Sequence, residues 1–505
     1  MTGPTSATAH LGIDLGTSSV KAVLVGVGGQ PLAAAEAGYP VHRPRPGWAE
    51  SDPGDWWQAT RTAVRRALAD APEARPLGIG LSGQMHGVVS TREDGTAIRP
   101  AVLWADTRAA AELVRYLQLA TDSRRRLANP LSPGMAGPIL GWLVRHEPDV
   151  VAATRWALQP KDWLRHQLTG TAATEPSDAS ATLMYDVTTD DWASDVVEAL
   201  GIDPRILPPL LASSGSAAGR LTAPAAEALG LPPGLPVAAG AADTAAAALG
   251  SGLVEAGTAQ LTIGSGVQAV TPSHRPPRSV ADTAEPVTHY YRAATDAGHY
   301  RMAAGLNGGL ALTWVRELLN ASWDELYAAA SRPARHDDPI FLPHLNGERT
   351  PYLDPDLRGA WTGLAARHER ADLLRSALEG VAFAAAEALA ALFPHGRSVT
   401  HLRLAGGGTT APAWRQLIAD VLGIELHAIA VPGASGRGAA FLGARASGHL
   451  DEPDLIRLGT PEVTAVVRPR PEALLVHDER RVRYRETVGL LRSRTAVTTA
   501  HRVPV

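Results

Sequence analysis

The chain has no cysteine among its 505 residues, which excludes disulfides, thiolate zinc sites, iron–sulfur clusters and cysteine nucleophiles. Lysine is nearly absent as well. Lys21 and Lys161 stand alone beside many arginines, a pattern of coding bias, and the run Arg124-Arg125-Arg126 reads as a solvated helix face. No apolar run reaches the roughly 18 residues that a membrane helix needs. The two best candidates, 237–254 and 381–393, contain Asp243 and Glu387 and read as buried elements. Met1 to His10 lacks a basic patch leading into an apolar stretch, so no signal peptide is expected. A net charge of −4 gives no electrostatic reason to expect nucleic acid or anionic membrane as a partner. A cytoplasmic protein is the plain reading.

What is present suits a soluble globular protein: 45% of residues are hydrophobic and 19% charged. The length calls for two or more domains. Leu11–Leu15 and Val20–Val25 read as strands joined by Gly16-Thr17-Ser18-Ser19, with 31–38 returning as a third. Asp52-Pro53 opens a helix that carries Trp56 and Trp57 to about Ala69, Asp52 as N-cap and Pro53 at the first helical position. Leu77–Leu81 is a strand ending at Ser82-Gly83-Gln84-Met85-His86. Strand and helix signals alternate from there, the pattern of an α/β domain. Proline and glycine cluster from Asp203 to Pro236, which places the main boundary near 236: an N-terminal domain over 1–235, a C-terminal one over 236–492 and a frayed tail over 493–505.

Five features can carry chemistry. Asp14 ends an apolar strand before the turn Gly16-Thr17-Ser18, where glycine lets an anion approach backbone N–H groups and a carboxylate can hold Mg²⁺. The same residues fit a plain hairpin around one buried polar group. Gly264-Ser265-Gly266 and Gly406-Gly407-Gly408 also follow strands, the latter before a helix whose N-terminus favours phosphate; glycine there also permits tight strand–helix packing. No Walker pattern occurs, and no Gly-x-Gly-x-x-Gly fingerprint opens the first unit. Asp243 lies among alanines, where a carboxylate needs a cleft or a donor, although a helix cap would also use it. Gln84, Met85 and His86, with Trp104, Asp106 and Arg108, offer the amide, imidazole, carboxylate and indole that suit a polyol; a satisfied core histidine is the alternative.

Together these residues resemble the FGGY carbohydrate kinases, and within them the xylulokinase branch. The likeness runs from Leu11 to about Gly448. Its markers are Ile13-Asp-Leu-Gly-Thr-Ser18, Trp48-Ala-Glu-Ser-Asp-Pro53, Gly83-Gln-Met-His-Gly87, Pro160-Lys-Asp162, Phe341-Leu-Pro343, Gly347-Glu-Arg-Thr-Pro351, Gly359-x-Trp361-x-Gly363-Leu364 and Gly406–Gly408. The resemblance implies an α/β fold of two actin-like (ribonuclease H-like) domains, with ATP and a sugar in the cleft between them, and a possible homodimer. It implies ATP-dependent conversion of D-xylulose to D-xylulose 5-phosphate. Asp243 would be the general base, Gln84, Met85, His86, Trp104 and Asp106 would line the sugar, and Asp14 would hold Mg²⁺. Thr17, Ser18, Gly264, Ser265, Gly406, Gly407 and Gly408 would line ATP. The chain departs from the family pattern in Ala241-Ala242 before Asp243, Thr244 after it, and Val267 after Gly266. A kinase for another ketose, polyol or deoxysugar, and a catalytically silent actin-like ATP- or sugar-binding protein, are alternatives the same motifs accommodate.

Overall fold

Strands β1 (Ala7–Leu15), β2 (Ser19–Gly26) and β3 (Pro31–Gly38) form the antiparallel meander expected from the N-terminal sequence. Helix α1 (Pro53–Asp70) follows. The Asp52 carboxylate accepts from the Gly54 amide at 2.8 Å, satisfying one of the donors that every helix start leaves free. Trp56, Ala59, Thr60, Ala63, Val64 and Ala67 recur at helical spacing and bury one face of α1 against the meander. The computed structural model describes residues 7–273, 283–296, 298–394, 396 and 399–500. The first six residues and 501–505, parts of the segments read above as leaderless and frayed, lie outside the described residues.

The first sheet continues through β4 (Ala74–Gly83), parallel to β1, then β5 (Ala217–Arg220), β6 (Pro236–Ala238) and β7 (Ala241–Ala242). Its path runs β5–β6–β4–β1–β2–β3, with β7 also on β4. Between β4 and β5 the chain makes a mostly helical excursion containing α2 (Pro160–Thr169), which packs beneath the end of β4. Helix α3 (Asp243–Gly250) leaves β7 directly.

The second sheet repeats the plan. Strands β8 (Gln260–Ile263), β9 (Val267–Ser273), β10 (His289–Arg292), β11 (His299–Gly305), β12 (His401–Ala405), β13 (Glu425–Ile429) and β14 (Val463–Val467) lie in the order β10–β11–β9–β8–β12–β13–β14. The order β11–β9–β8–β12–β13 matches β3–β2–β1–β4–β6: an antiparallel meander with parallel strands added beside its first member. The longer helices of this half are α4 (Gly309–Leu318), α5 (Arg370–Leu392), α6 (Pro412–Leu422), α7 (Ala434–Ala446) and α8 (Pro471–Ala500). α5 is buried on nearly every side. Its Glu379 carboxylate is held well below the usual range, against the effect of burial, by His477, Arg375 and Arg480. That knot ties α8 to the core. Among the described residues no helix is long and apolar enough to cross a membrane.

Three differences from the sequence reading have physical causes. β6 and β7 belong to the first sheet, and the second begins at Gln260, so the divide between sheets falls later than 236. Proline and glycine marked a loop and not a change of sheet. The chain expected to fray from Ser493 continues as helix to Ala500. The Arg124–Arg126 run is not simply solvated, since Arg126 pairs with Asp186 and Asp195 of its own chain.

Helix α7 joins the halves. It follows a strand of the second sheet yet lies against β1 and β4 of the first and against α3. The contact is backbone to backbone. A Cβ on Gly12 would stand 1.9 Å from the Gly436 carbonyl oxygen, on Gly80 1.7 Å from that of Ala439, and on Gly438 1.9 Å from that of Ala246. Gly78, Gly80 and Gly83 happen to carry the spacing of a dinucleotide fingerprint, but inside β4, where Gly78 and Gly80 serve this packing.

Gly80→Ala is therefore expected to cost at least about 3 kcal/mol in chemical denaturation, because only backbone movement relieves the overlap. Gly489→Ala, exposed inside α8 with nothing within 4 Å of its added Cβ, should instead stabilise by about 0.5–1 kcal/mol. Similar midpoints for the two variants would contradict the packing described.

Candidate active site

The β1–β2 turn is held from three sides. The Gly16 amide donates to Ser19 O at 2.9 Å, and the Gly16 carbonyl accepts from the Tyr39 hydroxyl and from Gln84 Nε2 at 3.2 Å. Trp104 Nε1 donates to the Thr17 hydroxyl at 3.0 Å, while Ser18 is exposed at the tip. Asp14, at the end of β1, is half-buried and accepts from Ser82 Oγ at 2.9 Å. Burial raises its pKa; the Ser82 bond and Lys21 offset this in part.

Asp243 is the first residue of α3, its carboxylate within the field of Asp14. Burial, then the Asp14 charge, pushes its pKa up to about 6, although the Thr244 hydroxyl donates to Oδ1 at 3.1 Å. Thr244, a departure from the family pattern, is itself held by Gln268 Nε2 at 3.3 Å from β9. A carboxylate so raised can accept a proton near neutral pH.

The backbone leading into Asp243 rests on a fully buried charge cluster. Lys161 Nζ lies 2.6 Å from Asp162, 3.2 Å from Asp178 and 3.5 Å from Glu175, and Arg165 lies 2.8 Å from Asp162. Burial alone would discharge Lys161, but the acidic groups around it, Asp162 foremost, keep it charged. Arg165 Nη1 donates to Ala239 O at 2.7 Å, and the Ala242 amide donates to Ser177 Oγ at 3.0 Å. Ser177 is in turn held by Glu175. Breaking such a cluster strands a buried charge, so the segment before Asp243 is rigidly placed.

On the facing side, His86 adopts φ 76°, a left-handed backbone that is rare outside glycine. Its Nδ1 donates to Ala181 O at 2.7 Å, leaving Nε2 as the acceptor, and burial lowers its pKa to about 4. Met85 is buried in the apolar junction beneath. Gln84 and Asp106 hold the scaffold. Gln84 supports the Gly16 turn, and Asp106 gives both oxygens to Arg108 and to the Ala49 amide at 2.7 Å.

Sequence reasoning missed His289 and Tyr291, whose side chains bond at 2.6 Å beside His86. Strand β10 brings them across from the second sheet, anchored by Asn129 to the backbone of Tyr290 and by Ser180 to the amide of Arg292. It also missed Arg349, which lies over the Trp104 ring at 5.2 Å. These residues are distant in sequence from every motif turn except the Gly347–Pro351 marker, which carries Arg349 without revealing where it points.

The other two turns share one cavity of about 730 Å³. Gly264, Ser265, Gly407 and Gly408 line one side; Trp314, Trp323 and Tyr327 line another. The Gly264 and Ser265 carbonyls accept from the amides of Gly308, Gly309 and Leu310 at 2.8–3.0 Å, so the turn caps α4. A Cβ on Gly264 or Gly407 would meet nothing within 4 Å, so neither glycine is required by packing. Gly406 differs: its φ of 103° and its approach to Ile263 O demand glycine.

The chain matches the FGGY family of carbohydrate kinases, N-terminal domain, over residues 9–250 and the C-terminal domain of that family over residues 256–447. It is 36% identical to a xylulose kinase of Klebsiella pneumoniae over 83% of this chain and 85% of that protein. It is 35% identical to a xylulose kinase of Escherichia coli (strain K12) over the same shares. Among solved structures, the xyloylose kinase from Brucella ovis superposes with a TM-score of 0.88 at 33% identity, covering 96% of this chain and 99% of that one.

The raised Asp243 pKa has a consequence for stability. A folded pKa above the unfolded one makes the native state lose stability as pH climbs through the interval up to about 6. In buffer free of divalent cations, Asp243→Asn should gain about 2 kcal/mol over the parent between pH 4 and pH 8. Urea unfolding at the two pH values measures this, and an unchanged difference would contradict it.

Proposed function

Since the chain belongs to the FGGY family of carbohydrate kinases, we propose that it transfers the γ-phosphoryl group of ATP to the terminal hydroxyl of D-xylulose, giving D-xylulose 5-phosphate. The observation that carries this reading is Asp243: a carboxylate raised to about 6 by burial and then by the Asp14 charge, within electrostatic reach of Tyr291, whose ring neighbours His86. The xylulose kinases among its relatives supply the acceptor.

Asp243 accepts the hydroxyl proton as that oxygen attacks the γ-phosphorus in line, and later yields it to solvent. Thr244 keeps the receiving carboxylate oriented, and the buried cluster around Lys161 keeps its backbone in place. Neutral His86 offers Nε2 as an acceptor to a sugar hydroxyl, and Trp104 supplies an apolar face. Thr17, Ser18, Ser265 and the open glycines Gly264 and Gly407 accommodate phosphates and offset charge that develops in transfer. The aromatic wall of Trp314, Trp323 and Tyr327 suits a nucleobase.

Asp14 fits a magnesium ion by its chemistry. It is a carboxylate with one oxygen on Ser82, repelled by Asp243, and among the described residues no group of three or more ligating side chains forms a closed cage. Magnesium is usually held by one or two carboxylates together with substrate phosphates. When bound, it would neutralise charge on the transferring phosphoryl group.

A positioned base contributes about 10²–10⁴-fold. Asp243→Ala should lose turnover of that order in a coupled assay of ADP release, with ATP affinity retained. A folded variant with near-normal turnover refutes the base assignment; a panel of ketoses, polyols and deoxysugars, read by product mass, tests the acceptor.

A further inference from the structure

Arginine is the main cation of this chain, and its buried guanidinium groups are consistently paired. Arg108 bonds Asp106 and Glu50, Arg165 bonds Asp162, and Arg375 and Arg480 share Glu379. Arg349 breaks that rule. Among the described residues its guanidinium has neither a carboxylate within ion-pair distance nor a hydrogen-bond partner; the residue is half-buried and its nitrogens remain reachable from solvent. Partial burial already works against its charge, so a hydrogen-bond acceptor brought by a ligand meets a group with no competing partner in the protein.

The residues on either side are pinned. Glu348 accepts from the amides of Leu306 and Arg349 at 2.7 and 2.9 Å, and from His344 at 2.9 Å. Thr350 donates its amide to Ala304 O at 3.0 Å and its hydroxyl to Val287 O at 2.8 Å. The backbone of Arg349 is fixed while its head group is left free, which is the arrangement of a preorganised contact. The head group faces Trp104 and lies within electrostatic reach of His86, His289 and Tyr291; Tyr291 is also within reach of Asp243. Neither histidine can compete for the role of cation, since burial keeps both neutral at pH 7.

The geometry points to Arg349 as the residue that reads the keto end of the sugar, its planar fork donating to the C2 carbonyl oxygen and a flanking hydroxyl while Asp243 serves the far terminus. This rests on the reading of the cleft as a ketose kinase site. Donor-only guanidinium matches the coplanar lone pairs of a carbonyl. A tetrahedral C2 carbinol can still accept from the fork, but it lacks the coplanar pair of lone pairs and turns its neighbours out of the plane. Arg349 is thus a determinant of ketose over polyol, contributed by the half of the chain opposite to His86 and Trp104.

The test compares D-xylulose with its C2-reduced polyols, xylitol and D-arabinitol, as acceptors and as competitive inhibitors, in the parent, Arg349→Gln and Arg349→Lys. Loss of a charge-assisted bond should lower kcat/KM for D-xylulose about 10- to 150-fold in Arg349→Gln. Polyol affinities should fall less than about fivefold, since the geometry does not favour them. The KM for ATP should stay constant, and Arg349→Lys should recover only part of the loss, having charge without the fork. Because the head group bonds nothing in the protein, both variants should keep the parent's thermal midpoint. An unchanged ketose-to-polyol ratio, an equal loss on all three sugars, or a shift confined to the KM for ATP overturns the assignment while leaving the kinase reading intact. Absence of D-xylulose turnover in the parent overturns both.

Discussion

Backbone contact at α7 is the constraint from which the site follows. β1 delivers Asp14, α3 begins with Asp243, and one helix backs both elements through glycines that admit no side chain. The two carboxylates are consequently held within each other's field, and neither can relax away without opening that packing. Their repulsion and burial are what raise Asp243 into the range where it can take up a proton. The glycines of α7 thus link the packing of the molecule to the acid–base property of its cleft. The same helix stitches the second half of the chain onto the first sheet.

The buried cluster around Lys161 extends this logic. A lysine, an arginine and three carboxylates without solvent are a poor way to gain stability, since apolar side chains of the same volume would often do as well. Their bonds to Ala239 O, and through Glu175 and Ser177 to the Ala242 amide, instead specify where the chain turns into α3. Arg349 obeys the converse principle. Its neighbours Glu348 and Thr350 are bonded while its own half-buried head group is not, which leaves the fork open to a ligand.

Local signals made much of this legible from sequence. The meander, the Asp52-Pro53 cap and the three glycine turns each depend on residues within a few positions of one another, and the structure places them as expected. Asp243 was legible because a carboxylate among alanines needs a reason. Gln84 and Asp106 were read as ligand-facing; in the structure Asp106 gives its oxygens to Arg108 and the Ala49 amide, and Gln84 uses its Nε2 to hold the Gly16 turn while its Oε1 has no partner among the described residues. His289, Tyr291 and Arg349 could not be placed, because only the docking of β10 and the pinned loop around Thr350 aim them at the cleft. The divide between sheets was misjudged for a related reason: a proline- and glycine-rich loop marks a turn, whereas sheet membership is decided by pairing with a strand more than 150 residues earlier.

The most direct test of the central claim is a structure of the enzyme with D-xylulose, magnesium and a non-hydrolysable ATP analogue. The account predicts an Asp243 carboxylate oxygen about 2.6–3.2 Å from the terminal sugar hydroxyl, with that oxygen in line with the γ-phosphorus. A hydroxyl paired instead with another group, Asp243 turned away toward α3, would contradict it.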